Sequence, residues 1–176
     1  MTAIAGWAHV TLSVRDHDRS VQWYSDVLGF QSVLSDSNDR WKRTICMHPE
    51  SGTILVLHQH VSNTGEGFDE RRTGLDHVSL RVAEHDELIA WQERLKDLAV
   101  LYTPITDTGR GGLVINFRDP DGIALELFHR AAINDHLRIG IVDSGSRSCS
   151  CASRGSRRAD TPQCHSFKTG RPCGPS

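Results

Sequence analysis

The chain has 176 residues, a formal net charge of -2 and 38% apolar residues, with a mean hydropathy of -0.39, which is ordinary for a globular protein of one domain or two small ones. No apolar run is long enough to span a bilayer, and the first residues lack the basic and apolar segments of a secretory signal, so a cytoplasmic protein without membrane contact is expected. The near-neutral charge also gives no reason to expect a nucleic-acid partner: it conceals a basic stretch at 141–176, net +4, and a remainder at net -6.

The first predicted element is a strand at 10–14, where Val10, Leu12 and Val14 alternate with Thr11 and Ser13, and His9 shares the polar parity. A helix follows from the acidic residues at 16–18 and stops at Gly29, which suits a helix C-terminus. Three β-like segments come next, at 31–35, 40–47 and 53–60, the last two joined by the turn Pro49-Glu50-Ser51-Gly52.

The same series then recurs. At an offset of 68, Gly6, His9, Val10, Leu12, Val14, His17, Asp18 and Trp23 reappear as Gly74, His77, Val78, Leu80, Val82, His85, Asp86 and Trp91. The second copy has a strand at 77–82 and a helix from about 84 with a buried stripe at Leu88, Trp91, Leu95 and Leu98. Strands at 100–103, 113–117 and 123–129 complete it, with the turn Asp119-Pro120-Asp121-Gly122 before the last. The expected fold is α+β: two tandem βαβββ modules, about 6–62 and 74–130, forming a cup-shaped barrel within a domain at 1–133.

Residues 134–176 are expected to be a disordered tail. Its last 36 residues hold eight of the serines, three of the six prolines and four of the five cysteines (Cys149, Cys151, Cys164 and Cys173), with no apolar periodicity to support a core. A zinc site there would need paired cysteine knuckles, which the spacing lacks. An out-of-frame extension is the other reading. Only Cys46 lies in the patterned body, so the body does not depend on disulfides.

The polar parity of the strands carries the candidate chemistry. His9 and His77 occupy equivalent places, so pseudo-symmetry would bring both imidazoles toward one axis. Glu126 faces the same way in the last strand, where Leu125 and Leu127 face the helix, and a carboxylate in such a strand needs compensation. Two neutral imidazoles and a carboxylate suit a divalent metal with open positions for substrate oxygens. The alternative is two duplicated structural histidines and a Glu126 paired with Arg81.

Three stretches resemble the vicinal oxygen chelate superfamily of glyoxalases, bleomycin-resistance proteins and extradiol dioxygenases. They are His9-Val10-Thr11-Leu12 running into Asp18 to Phe30, then Gly74-Leu75-Asp76-His77-Val78, and Phe117-Arg118-Asp119-Pro120-Asp121-Gly122-Ile123-Ala124-Leu125-Glu126-Leu127. The resemblance spans residues 6 to about 130. It implies paired modules around a divalent metal (Fe, Mn, Zn or Ni) with His9, His77 and Glu126 as ligands, a small-molecule substrate chelated through neighbouring oxygens, and a possible homodimer.

The resemblance implies several activities. Glyoxalase-type lyases take a fourth ligand, a Glu, from the first module's last strand; Val56 stands there and can neither ligate nor take a proton. His58 and His60 share its parity and could supply a base or a substrate contact from the rim. A glyoxalase-like lyase or isomerase is therefore the leading expectation, with Thr11 and Asn116 as catalytic candidates and Trp41, Arg110, His58 and His60 as substrate contacts. An extradiol ring-cleaving dioxygenase would use the same two-His, one-Glu set, but Asn116 stands where those enzymes place a Tyr. A fosfomycin-modifying transferase would place Thr11 correctly, yet the chain offers only Arg110 among glycines as a phosphonate contact. A metal-free protein that binds an antibiotic or metabolite in the cup is the alternative of another class.

Overall fold

The computed structural model describes residues 2–130; the stretch expected to be a tail lies outside the described residues. Among the described residues ten elements follow in chain order: β1 (Val10–Ser13), α1 (His17–Leu28), β2 (Gln31–Ser37), β3 (Trp41–Met47), β4 (Ile54–His60), β5 (Val78–Val82), α2 (His85–Asp97), β6 (Thr106–Asp107), β7 (Gly112–Arg118) and β8 (Ala124–Arg130). They form two four-stranded sheets of the same topology, β1-β4-β3-β2 and β5-β8-β7-β6. In each, the first strand runs parallel to the last and the remaining pairs are antiparallel. The duplicated βαβββ reading is borne out.

Local chemistry sets the boundaries. The Asp16 carboxylate accepts the Arg19 N–H at 3.1 Å and caps α1, which ends at Gly29 with φ 77°, a left-handed conformation that costs glycine little. At the start of α2 the Glu87 carboxylate accepts the Glu84 backbone N–H at 3.1 Å. Beyond α2 the repeat loosens. Ala99 takes φ 53°, and the strand expected at 100–103 is reduced to a single bridge between Tyr102 and Phe117. Pro104 has no N–H to donate, so regular pairing restarts only at Thr106.

Alternation buries one face of each sheet beneath its helix. Leu12, Leu55 and Leu57 of module one and Leu125 and Leu127 of module two are at most 5% exposed and belong to one continuous core with Val27, Leu28, Leu88 and Leu95. The helix-bearing sides of the modules therefore meet. Tyr24 donates its hydroxyl to Asp119 at 3.1 Å, and Arg15 donates its backbone N–H and Nε to Asp121 at 2.7 and 2.9 Å. From α2, Arg94 donates to the carbonyls of Val27 and Asp26 at the end of α1. Because the helix sides are used for this joint, the polar face of each sheet is left outside the core. Among the described residues no helix is long and apolar enough to cross a membrane.

Candidate metal and substrate site

Each polar face is organised by strand register. In module one, Ser13, His58, Arg43 and Asp36 lie side by side on β1, β4, β3 and β2, with Trp41 opposite His60 in the neighbouring row. The row on the other side is Thr11, Val56, Ile45 and Leu34, so the place where lyases carry a Glu is apolar on β4, β3 and β2, with the Thr11 hydroxyl as the row's polar group. A bulge at Val33 gives Leu34 and Asp36 this parity.

Arg43 and Asp36 form a two-pronged ion pair at 2.7 and 2.8 Å, and the guanidinium lies 4.7 Å from the Trp41 ring centre. Trp41 meets His58 edge-on at 5.3 Å, and His58 stacks on His60 at 4.1 Å. Burial, with His60 and Arg43 as further causes, holds His58 below its ordinary pKa of 6.5, against the opposing pull of Asp36. The His58 Nε2 is enclosed and has no hydrogen-bond partner among the described residues. This face is therefore a π-rich shelf whose one cation is neutralised by Asp36 and whose enclosed imidazole favours the neutral form.

Module two holds the other candidates. His77 Nε2 lies 4.0 Å from Glu126 Oε1, and His77 Nδ1 lies 2.6 Å from Asp76 Oδ1. Ser79, which pairs with Glu126 in the parallel register, donates its hydroxyl to Glu126 Oε1 at 2.6 Å. Glu126 thus has Ser79 and His77 as neighbours rather than the alternative Arg81, which is level with Phe128. Asn116 stands directly across from Glu126 on β7. An open cleft of about 890 Å³ leads away from His77 and Asn116 past Arg118, Tyr102 and Trp23.

The fold therefore brings His77, Glu126 and Asn116 together on one face and Thr11, Trp41, His58 and His60 on the other. Arg110 sits apart, in the exposed turn before β7; Gly112, at the start of that strand, is four residues from Asn116, a span of about 13 Å at strand rise. His9 is exposed and immediately precedes β1, and no group of three metal-ligating side chains forms among the described residues. Sequence reading missed Asp36, Arg43, Asp76 and Ser79. The parity of Ser79 with His77 was visible, but its partner Glu126 emerges only from the β5–β8 register.

Over most of its length the chain is similar to known proteins. A family profile described as Glyoxalase/Bleomycin resistance protein/Dioxygenase superfamily covers residues 6–127, and the chain belongs to that family. It is similar to the lactoylglutathione lyase of Haemophilus influenzae, with 29% identity over 73% of this chain and 96% of that protein. Among solved structures it resembles a glyoxylase/bleomycin resistance protein/dioxygenase domain from Frankia sp. EAN1pec, with 34% identity, a TM-score of 0.68, and coverage of 73% of this chain and 99% of that one. It also shares its fold with the fosfomycin resistance protein FosX of Listeria monocytogenes in complex with Mn(II) and sulfate, at 22% identity and a TM-score of 0.56, over 72% and 93% of the two chains.

Proposed function

We propose that this chain is a divalent-metal-dependent lyase or isomerase of the glyoxalase type, acting on a small substrate held through two neighbouring oxygens. The observation that carries the reading is the approach of His77 Nε2 to Glu126 Oε1 at 4.0 Å, each side chain braced by a second polar residue. An imidazole nitrogen and a carboxylate at that separation fit a divalent ion with little movement. The names of the curated relatives, lactoylglutathione lyases at 25–29% identity, agree with the reaction class.

His9 is the third ligand in this reading, and it comes from a second copy of the chain. With the helix sides of both modules joined inside one chain, the face bearing His9 and Thr11 closes over the His77 and Glu126 face of another copy, completing a cup in a homodimer. A bound metal supplies Lewis acidity for negative charge that develops on the substrate. The protein's own groups do the rest. Thr11 and Asn116 orient the oxygens by hydrogen bonding, and Trp41 and His60 cover the substrate against water. His58, on the same face two residues from Val56 and favouring the neutral form, is the proton acceptor in place of the Glu that lyases carry at that position.

One observation favours a second reading. The shelf of Arg43, Trp41, His58 and His60 also suits sequestration of a planar molecule without turnover. Metal quantification on the purified chain and on His77→Ala, with a panel of hemithioacetals, catechols and fosfomycin, separates the two. Stoichiometric metal lost in His77→Ala, with turnover of a hemithioacetal, is the expected result. A metal-free chain that binds a panel member unchanged overturns the enzyme reading, and turnover of catechols with iron replaces the lyase by a ring-cleaving dioxygenase.

A further inference from the structure

The repeat makes the two halves of the proposed site comparable residue by residue. His77 is preceded by Asp76 and followed two residues on by Ser79; the aligned positions around His9 are Ala8 and Thr11. The structure uses both module-two residues. Asp76 Oδ1 is 2.6 Å from His77 Nδ1, and Ser79 Oγ is 2.6 Å from Glu126 Oε1. A carboxylate can only accept, so in neutral His77 the contact places the ring proton on Nδ1 and leaves the Nε2 lone pair facing Glu126. Ser79 fixes one carboxylate oxygen and with it the rotation of the group. Ala8 has no polar side chain with which to orient His9.

The geometry points to Asp76 as a positioning residue that holds His77 in its ligating tautomer, with Ser79 doing the same for Glu126, so that module two takes up the metal first and His9 completes the set. The inference rests on the metal reading above and adds an order of assembly and two residues to it. Outer carboxylates that orient a ligating histidine contribute roughly 10- to 100-fold to metal affinity. Asp76 is 79% exposed, so replacing it removes the contact without opening the core.

Two measurements on the full chain test this. The first is the nitrogen NMR signature of the His77 tautomer in metal-free protein, for the parent and Asp76→Ala. The second is Co(II) and Zn(II) affinity for the parent, Asp76→Ala, Asp76→Asn, Ser79→Ala, His77→Ala and His9→Ala, with the thermal midpoint of each metal-free protein as the control for folding. Asp76→Ala is expected to lose the Nδ1–H preference and roughly 10- to 100-fold in affinity at an unchanged midpoint. Asp76→Asn, which keeps an acceptor oxygen, recovers part of both, and His9→Ala keeps more affinity than His77→Ala. Affinity and tautomer in Asp76→Ala within twofold of the parent overturn the inference while leaving the metal site standing. A parent chain that takes up neither metal, yet shows an Asp76-dependent tautomer, sinks the metal reading and keeps Asp76 as the residue that orients His77.

Discussion

The contact between Arg15 and Asp121 is expected to hold the two modules in register, and its removal should be costly for a single side chain. Asp121 is 6% exposed and accepts two hydrogen bonds from Arg15, through the backbone N–H at 2.7 Å and Nε at 2.9 Å. In Asp121→Ala both donors lose their acceptor at the start of α1. Hydrogen bonds to a charged group contribute about 1.5–3 kcal/mol each when shielded, but the Arg15 side chain is 36% exposed and regains water, so its share falls below about 1 kcal/mol. The expected loss is about 2–3 kcal/mol, or roughly 10 °C in thermal midpoint for a folded body of this size. Asp121→Asn keeps one acceptor oxygen and should recover about half of it. Urea unfolding followed by tryptophan fluorescence and by far-ultraviolet dichroism measures the loss and shows whether the modules still unfold together. A change in Asp121→Ala of less than about 0.5 kcal/mol, with coincident transitions, would refute the assignment of the joint to this contact.

Two further outcomes follow from the site. His58 sits below its ordinary 6.5 in the folded chain, so the unfolded chain takes up the proton first as pH falls. Its contribution to stability is full above about pH 6.5 and is lost as the pH drops toward the folded value. Urea midpoints between about pH 7.5 and 5.5 should therefore fall less steeply in His58→Gln than in the parent, and equal slopes would remove the burial argument. A site shared between two chains, as proposed, predicts complementation: inactive His9→Ala and Glu126→Gln chains, unfolded together and refolded in equal amounts, should regain about a quarter of parental activity, since half the dimers are mixed and each has one intact site. Refolding that restores nothing, with mixed dimers present, places all three ligands in one chain.

The sequence reached the modules and the faces because both are recorded in local periodicity. Alternation in the last strand of each copy put Val56, His58 and Glu126 on the polar side, and the register confirms it. The strand at 100–103 failed for a local reason as well, the left-handed Ala99 and the missing donor of Pro104. Asp36 with Arg43, and Ser79 with Glu126, depend on which strands become neighbours and in what register, which alternation does not encode. The position of His9 is harder still. A periodic pattern says that a face is apolar, not which other apolar face it will meet, and here the two helix sides meet each other.

That joint also has an evolutionary consequence. Duplication followed by fusion through the helix-bearing sides leaves two polar surfaces that share no strand, although the Arg15–Asp121 contact and the core behind them are common. Mutations in the row of Ser13, His58, Arg43 and Asp36 can accumulate without disturbing the strands that carry His77 and Glu126. One copy can thereby change its polar face while the other keeps the pairing of His77 with Glu126, a modularity that an unduplicated barrel of the same size does not have.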